Sequence, residues 1–328
     1  MSVATAAPRA PQSSSGPQAP QTPPHAPEAG IWRRILGPFY VTGVFWFRFH
    51  LFGIRSLPNF LIGPAIFVFT VFFWATLWNI RRAIASNLEA VLGPCGWFER
   101  ERRIFRLIHV YSWCLTERYE NLAGKRQPQA VISGMDSWRE VADAPGGFIL
   151  LTAHYGSWEA GSFVPSVMTG RKVHVVREGE TDPRAQEFIR GLIEKQSDGR
   201  YLTHFAEHDP SLSMLLLDAL REGDIVALQG DRPRSWGKPT EGTLFGRPFP
   251  LPIGPASLAR AAGVPLLPVF IRRVGRLQYK SEVRPPIHVP RTHDREADVR
   301  YAIGRFLAEL EATIREDPYQ WFCFRKLW

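Results

Sequence analysis

His154 and Glu159 stand five positions apart in the run Gly146-Gly147-Phe148-Ile149-Leu150-Leu151-Thr152-Ala153-His154-Tyr155-Gly156-Ser157-Trp158-Glu159-Ala160-Gly161. A histidine oriented by a carboxylate makes a general base at neutral pH, able to take the proton of an attacking hydroxyl. On a regular helix residues five apart diverge by about 140°, so the two can meet only if the chain between them turns. Gly156 permits such a turn, because glycine tolerates backbone angles that other residues avoid. The apolar residues before it predict a strand that delivers His154 into the turn, with Glu159 opening a helix. A histidine and a glutamate at this spacing also arise by chance, so the weight of the pair rests on what surrounds it.

The chain has 328 residues and a formal net charge of +9, which favours anionic partners: an anionic membrane surface, an acidic carrier protein or nucleic acid. Its three cysteines, Cys95, Cys114 and Cys323, show no CxxC spacing. That argues against a disulfide framework and a thiolate zinc site, and suits a reducing compartment. The histidines form no HExxH or similar cluster, so neither a metal nor a cofactor is expected. Many of the eleven tryptophans and twenty-two phenylalanines sit in the N-terminal part and at the extreme C-terminus. This distribution points to a membrane interface rather than nucleic acid.

Three regions follow along the chain. Residues 1–30 form a Pro/Ala-rich tail that cannot bury enough apolar surface to offset the entropy of ordering, and it lacks the apolar core of a secretory signal. Residues 31–80 hold an aromatic, arginine-interrupted interfacial segment and then the uncharged run FLIGPAIFVFTVFFWATLW from Phe60 to Trp78. Its length is close to the ~20 residues a helix needs to cross a bilayer, and it reads as a membrane anchor, with Gly63-Pro64 expected to break or kink its first turn. Residues 81–328 read as the catalytic domain. Two amphipathic helices, Ile80 to Leu92 and Glu99 to Leu122, are separated by Gly93-Pro94.

Beyond Gly124 short apolar runs alternate with helical stretches. The runs are Ala130–Ile132, Phe148–Leu151, Val173–Val176, Ile225–Leu228 and Leu266–Ile271; the helices are Ala185–Lys195, Pro210–Arg221 and Ile253–Ala262. This predicts an α/β fold with a mainly parallel central sheet flanked by helices, whose strand ends are where ligands bind. Four strand ends carry chemistry: His154 to Glu159; Val176-Arg177-Glu178; Gln229-Gly230-Asp231-Arg232-Pro233-Arg234; and Val264-Pro265-Leu266-Leu267-Pro268-Val269. Arg177 offers a planar fork of donors for phosphate, although a surface arginine after a strand would look the same. Asp231 could orient Arg177 or a substrate hydroxyl, or simply form a turn with Gly230. Arg232, Arg234 and Arg247 are further cations that a solvated face also explains. His174, inside an apolar run, reads as a strand residue without a catalytic part.

The order and content of these four segments resemble the HxxxxD/E glycerolipid acyltransferase superfamily. More closely the chain resembles the bacterial lipid A late acyltransferase family of lauroyl and myristoyl type. The likeness spans roughly residues 31–328 and includes Arg81-Arg82-Ala83-Ile84-Ala85-Ser86-Asn87-Leu88, the loop Leu244-Phe245-Gly246-Arg247-Pro248, and Asp317-Pro318-Tyr319-Gln320-Trp321-Phe322-Cys323-Phe324-Arg325-Lys326. The resemblance implies transfer of a fatty acyl chain from an acyl carrier protein or coenzyme A thioester to a hydroxyl of a glycolipid. It implies a bacterial inner-membrane location with the site facing the cytoplasm. His154 is then the base, Glu159 its carboxylate, and Gly230, Asp231, Arg232 and Arg177 line the substrate. Backbone amides near the turn are expected to hold the oxyanion. Two other readings use the same residues: a thioesterase or lipid hydrolase with water as acceptor, and a membrane scaffold that keeps the fold without catalysis.

Overall fold

The computed structural model describes residues 44–124, 126–158, 164–177, 187, 191, 199–205, 211–232 and 239–328. The tail, Glu159, the stretch Ala185–Lys195 apart from two residues, and Arg234 therefore lie outside the described residues.

The N-terminal part is helical: α1 (Val44–Ser56), α2 (Asn59–Thr76), α3 (Trp78–Leu92) and α4 (Trp97–Leu122). Among the described residues α2 is the one helix long and apolar enough to cross a membrane. It runs through Pro64 without interruption, contrary to the expected break. In its second turn the proline forfeits a single backbone hydrogen bond, and a Cβ at the neighbouring Gly63 would meet the Trp113 ring at an ordinary 3.8 Å. Ile62, Ile66 and Thr70 turn inward against α4. There Thr70 Oγ1 lies 3.2 Å from His109 Nδ1, and Trp74 Nε1 donates to Glu101 at 3.2 Å. The opposite face leaves Phe60, Val68 and Phe72 exposed, while the half-exposed Phe67 meets Phe105 and His109 of α4 edge-on.

The remainder is an α/β domain. Its strands are β1 (Gln129–Ser133), β2 (Phe148–Thr152), β3 (Val173–Arg177), β4 (Tyr201–Phe205), β5 (Ile225–Gln229), β6 (Pro239–Leu244), β7 (Arg247–Pro252), β8 (Leu266–Gly275) and β9 (Gln278–Val283). Seven form one sheet in the order β1-β9-β8-β2-β5-β3-β4. Each neighbouring pair is parallel except β8 with β9. The helices are α5 (Met135–Ala142), α6 (Val164–Thr169), α7 (Leu212–Arg221), α8 (Gly254–Ala262) and α9 (Arg295–Glu316). Strands buried on both faces carry near-continuous apolar residues, as β2 and β5 do. Ile149, Leu151, Val226 and Leu228 pack with α7, α8 and α9 on one face. Phe148, Leu150, Ile225 and Ala227 pack with Trp138 and Val141 of α5 on the other.

Four strands were not foreseen. β4 (YLTHF) and β9 (QYKSEV) are too polar to stand out, and β6 and β7 carry prolines that discourage a strand reading. The last two form a separate antiparallel hairpin. Its turn residues Phe245 and Gly246 both have positive φ, as the tight turn matching strand twist requires.

Candidate active site

Parallel register builds the site. β2 and β5 pair in step, Thr152 opposite Gln229, so the residues two positions beyond each strand, His154 and Asp231, leave the same sheet edge side by side. His154 Nδ1 lies 2.7 Å from Asp231 Oδ1, and the His154 backbone N–H donates to Oδ2 at 3.1 Å. Trp321 Nε1 also donates to Oδ2, at 3.2 Å. Asp231 is fully buried and the His154 side chain is 19% exposed. Burial by itself would push the Asp231 carboxyl up. The charge and hydrogen bond of His154, the nearby Arg232 guanidinium and the His154 amide outweigh it and hold the carboxyl well below the usual carboxylate range.

An ionised Asp231 can only accept, so the ring nitrogen facing it carries the proton and Nε2 is left with its lone pair. That is the tautomer a general base needs. The Nδ1 position expected for Glu159, a residue outside the described ones, is occupied by Asp231. Asp231 in turn faces the histidine rather than Arg177 or a substrate hydroxyl. The His154 ring rests edge-on against Trp158, ring centroids 5.2 Å apart.

The loop after His154 is fixed by close approach. Gly156, at φ +55°, lies so near β8 that a Cβ there would stand 1.9 Å from the Ile271 carbonyl oxygen. Gly156 N–H donates to Gln320 O at 2.8 Å, Ser157 N–H to Ile271 O at 3.0 Å, and Tyr155 N–H to Ala153 O at 2.7 Å. These three turn amides are therefore spent on the protein and are not among those left for an oxyanion. Gly230 is needed for packing: its N–H donates to Thr152 O, and a Cβ would press on Phe306 and Leu151 at 2.8 and 2.9 Å.

Arg232 follows Asp231 and donates to the Phe322 carbonyl, which ties it to the chain. Arg177 ends β3, on the far side of β5 from β2, at the sheet edge that also presents His154 and Asp231. Arg247 is exposed on the hairpin. His174 lies buried in β3 and contacts His204 and Asp224 at 3.0 and 3.2 Å. Nothing in the local spacing of segment 317–328 marks it as part of the site, yet it belongs there. Besides Trp321 and Gln320 it supplies Phe322, whose N–H donates to His154 O at 2.9 Å. From the other side Asn87 of α3 donates to Cys323 O and Arg325 O at 3.1 and 2.9 Å and accepts from Leu327 N–H at 3.1 Å.

Comparison with known proteins places the chain in a family. The family model described as bacterial lipid A biosynthesis acyltransferase matches residues 34–328. The phosphatidylinositol mannoside acyltransferases of two Mycobacterium tuberculosis strains, CDC 1551 / Oshkosh and ATCC 25618 / H37Rv, are each 26% identical over 253 residues, covering 76% of this chain and 75% of theirs. Among solved structures, the 1-acyl-sn-glycerophosphate (LPA) acyltransferase PlsC from Thermotoga maritima matches 80% of this chain and 98% of its own at 16% identity, with a TM-score of 0.35. With a family model matched over nearly its whole length, the chain belongs to the bacterial lipid A biosynthesis acyltransferases and is an acyltransferase of glycolipid type.

Proposed function

We propose that this enzyme moves a fatty acyl chain from an acyl carrier protein or coenzyme A thioester onto a hydroxyl of a glycolipid resembling a lipid A precursor, at a membrane surface. The observation that carries this reading is the His154–Asp231 pair, with Nδ1 held at 2.7 Å and Nε2 left to accept a proton. His154 Nε2 takes the acceptor O–H proton as that oxygen attacks the thioester carbonyl. Asp231 stabilises the imidazolium. The tetrahedral intermediate collapses to the ester, and the departing thiolate recovers the proton from His154. Base assistance of this kind contributes about 10² to 10⁴ in rate. A thioester is already activated, so no protein nucleophile is required. Arg177, on the same sheet edge, binds phosphate of donor or acceptor. Glu159, five positions on in the sequence, is the second carboxylate proposed to stabilise the imidazolium.

Membrane attachment is assigned to α2. Its inner face is committed to α4 through Thr70 and Trp74, and α4 carries Glu101, Arg102, Arg103 and Arg106 beside that contact. Drawing α2 across a bilayer would strip these contacts or drag charges into hydrocarbon. The helix therefore lies in the interface plane, its exposed phenylalanines in the acyl region. The inner membrane, with the site toward the cytoplasm where such thioesters are made, is the matching location.

The test uses the full chain with a labelled acyl thioester and vesicles containing glycolipid. The wild-type protein yields acylated lipid, and His154→Ala yields none while still folding and floating with the vesicles. Transfer retained by His154→Ala would remove the base assignment. Labelled free fatty acid without acylated lipid would establish hydrolysis instead.

A further inference from the structure

We propose that Trp321 is a positioning residue of the reaction: its indole N–H fixes the Asp231 carboxylate, and through it the imidazole of His154. This rests on the reading of His154 as the base.

A carboxylate held by the imidazole alone can rotate about its Cβ–Cγ bond and carry the ring with it. Here Oδ1 serves Nδ1, while Oδ2 accepts the His154 amide and the Trp321 indole. The amide belongs to the same residue as the ring and moves with it. The indole is the donor that reaches Oδ2 from another part of the chain. Trp321 is itself buried, packed between Phe249 and Trp328 with ring centroids 6.2 and 6.3 Å away. The residues either side are fastened to the histidine loop, Gln320 O by Gly156 N–H and Phe322 N–H by His154 O. The Gln320 side chain is anchored in turn on β8: its Oε1 accepts from Arg273 N–H and its Nε2 donates to Arg273 O, both at 2.8 Å. The indole thus reports the position of β8 to the carboxylate. Its N–H also draws negative charge from Oδ2, which leaves less of it facing Nδ1.

Removing that donor has two effects. The carboxylate gains rotational freedom, so fewer encounters find Nε2 aligned, and Oδ1 faces the ring with more negative charge. Among the described residues the other ionisable groups interacting with Asp231 are Arg232, next to it after β5, and the buried Cys323 thiol; neither is changed by altering Trp321.

The experiment compares wild-type full-length protein with Trp321→Phe and with Trp321→3-benzothienylalanine, which puts sulfur in place of the N–H at nearly constant shape. Acyl transfer from a labelled acyl thioester to glycolipid vesicles is followed against pH. Both replacements should lower kcat about tenfold with KM little changed, and move the acidic limb of kcat/KM to higher pH. Wild-type kcat and an unmoved limb in the sulfur analogue would overturn the proposal and leave Trp321 as packing. The analogue decides the matter even if Trp321→Phe does not fold. Activity surviving in His154→Ala would instead defeat the underlying base assignment, a separate outcome.

Discussion

A methyl group on Gly156 tests the geometry of the site directly. In Gly156→Ala the new Cβ would start 1.9 Å from Ile271 O and 3.0 Å from Gln320 Oε1. The first atom is backbone within β8 and cannot rotate away, so the loop must retreat by about 1.1 Å to restore even a tight 3.0 Å separation. It would also hold alanine at φ +55°, a left-handed conformation costing roughly 1–2 kcal/mol. The retreat breaks the Gly156–Gln320 and Ser157–Ile271 hydrogen bonds and shifts the chain two residues from His154. Misplacing a catalytic group by about 1 Å costs on the order of 10²-fold in rate. The expected result is a folded protein, less stable by about 2–4 kcal/mol from strain and lost hydrogen bonds, with kcat down about 100-fold. Gly146→Ala is the control: φ is +92° but nothing lies within 4 Å of its Cβ position, so stability falls and activity does not. Denaturant unfolding and labelled-acyl transfer read both. Gly156→Ala with wild-type stability and a rate within about twofold would refute the close approach, and with it the account of how the loop is held.

Other expectations follow from the same contacts. Asp231→Asn can turn its amide N–H₂ to Nδ1 and place the ring proton on Nε2; transfer should fall about 10³–10⁴-fold, and a loss under tenfold would mean the carboxylate does not set the tautomer. Asn87→Ala leaves Cys323 O, Arg325 O and Leu327 N–H without their partner, so unfolding free energy should drop by about 3 kcal/mol, which chemical denaturation checks. His50, half-buried beside Tyr119, is lowered to about 4 by desolvation, which outweighs the opposing Glu120 charge. Its folded form resists protonation, so its contribution is present above the ordinary 6.5 and lost as pH falls from there to about 4. That loss approaches about 3 kcal/mol, and His50→Gln should flatten the corresponding slope of stability against pH. Replacing Phe60 and Phe72 of α2 by Ser removes exposed rings worth about 1.5–3 kcal/mol each on burial in acyl chains; vesicle flotation should weaken strongly while unfolding stability in detergent changes little.

Periodicity and strand-end composition located the helices that became α3 and α4, five strands of the parallel sheet, and the histidine. Those features are local: apolar runs of β2 and β5 announce strands buried on both faces, and a glycine turn follows the first. Polar edge strands β4 and β9 and the proline-bearing hairpin β6–β7 were not legible, since their pairing is decided by neighbours rather than by their own residues. The partner of His154 was equally hidden. Glu159 stands out because it is near in sequence, whereas Asp231 lies 77 positions away and meets the ring because β2 and β5 pair in step. One sign was available: Phe148–Thr152 and Ile225–Gln229 are both five-residue strands followed two positions later by an ionisable residue. The sequence by itself determined the class of fold, the family and the histidine in its glycine turn, because these depend on residue types and short spacings. Which carboxylate meets that imidazole, which amides of its loop are already spent, and that Trp321 reaches the same carboxylate were decided by strand register and chain crossing. No local spacing encodes those.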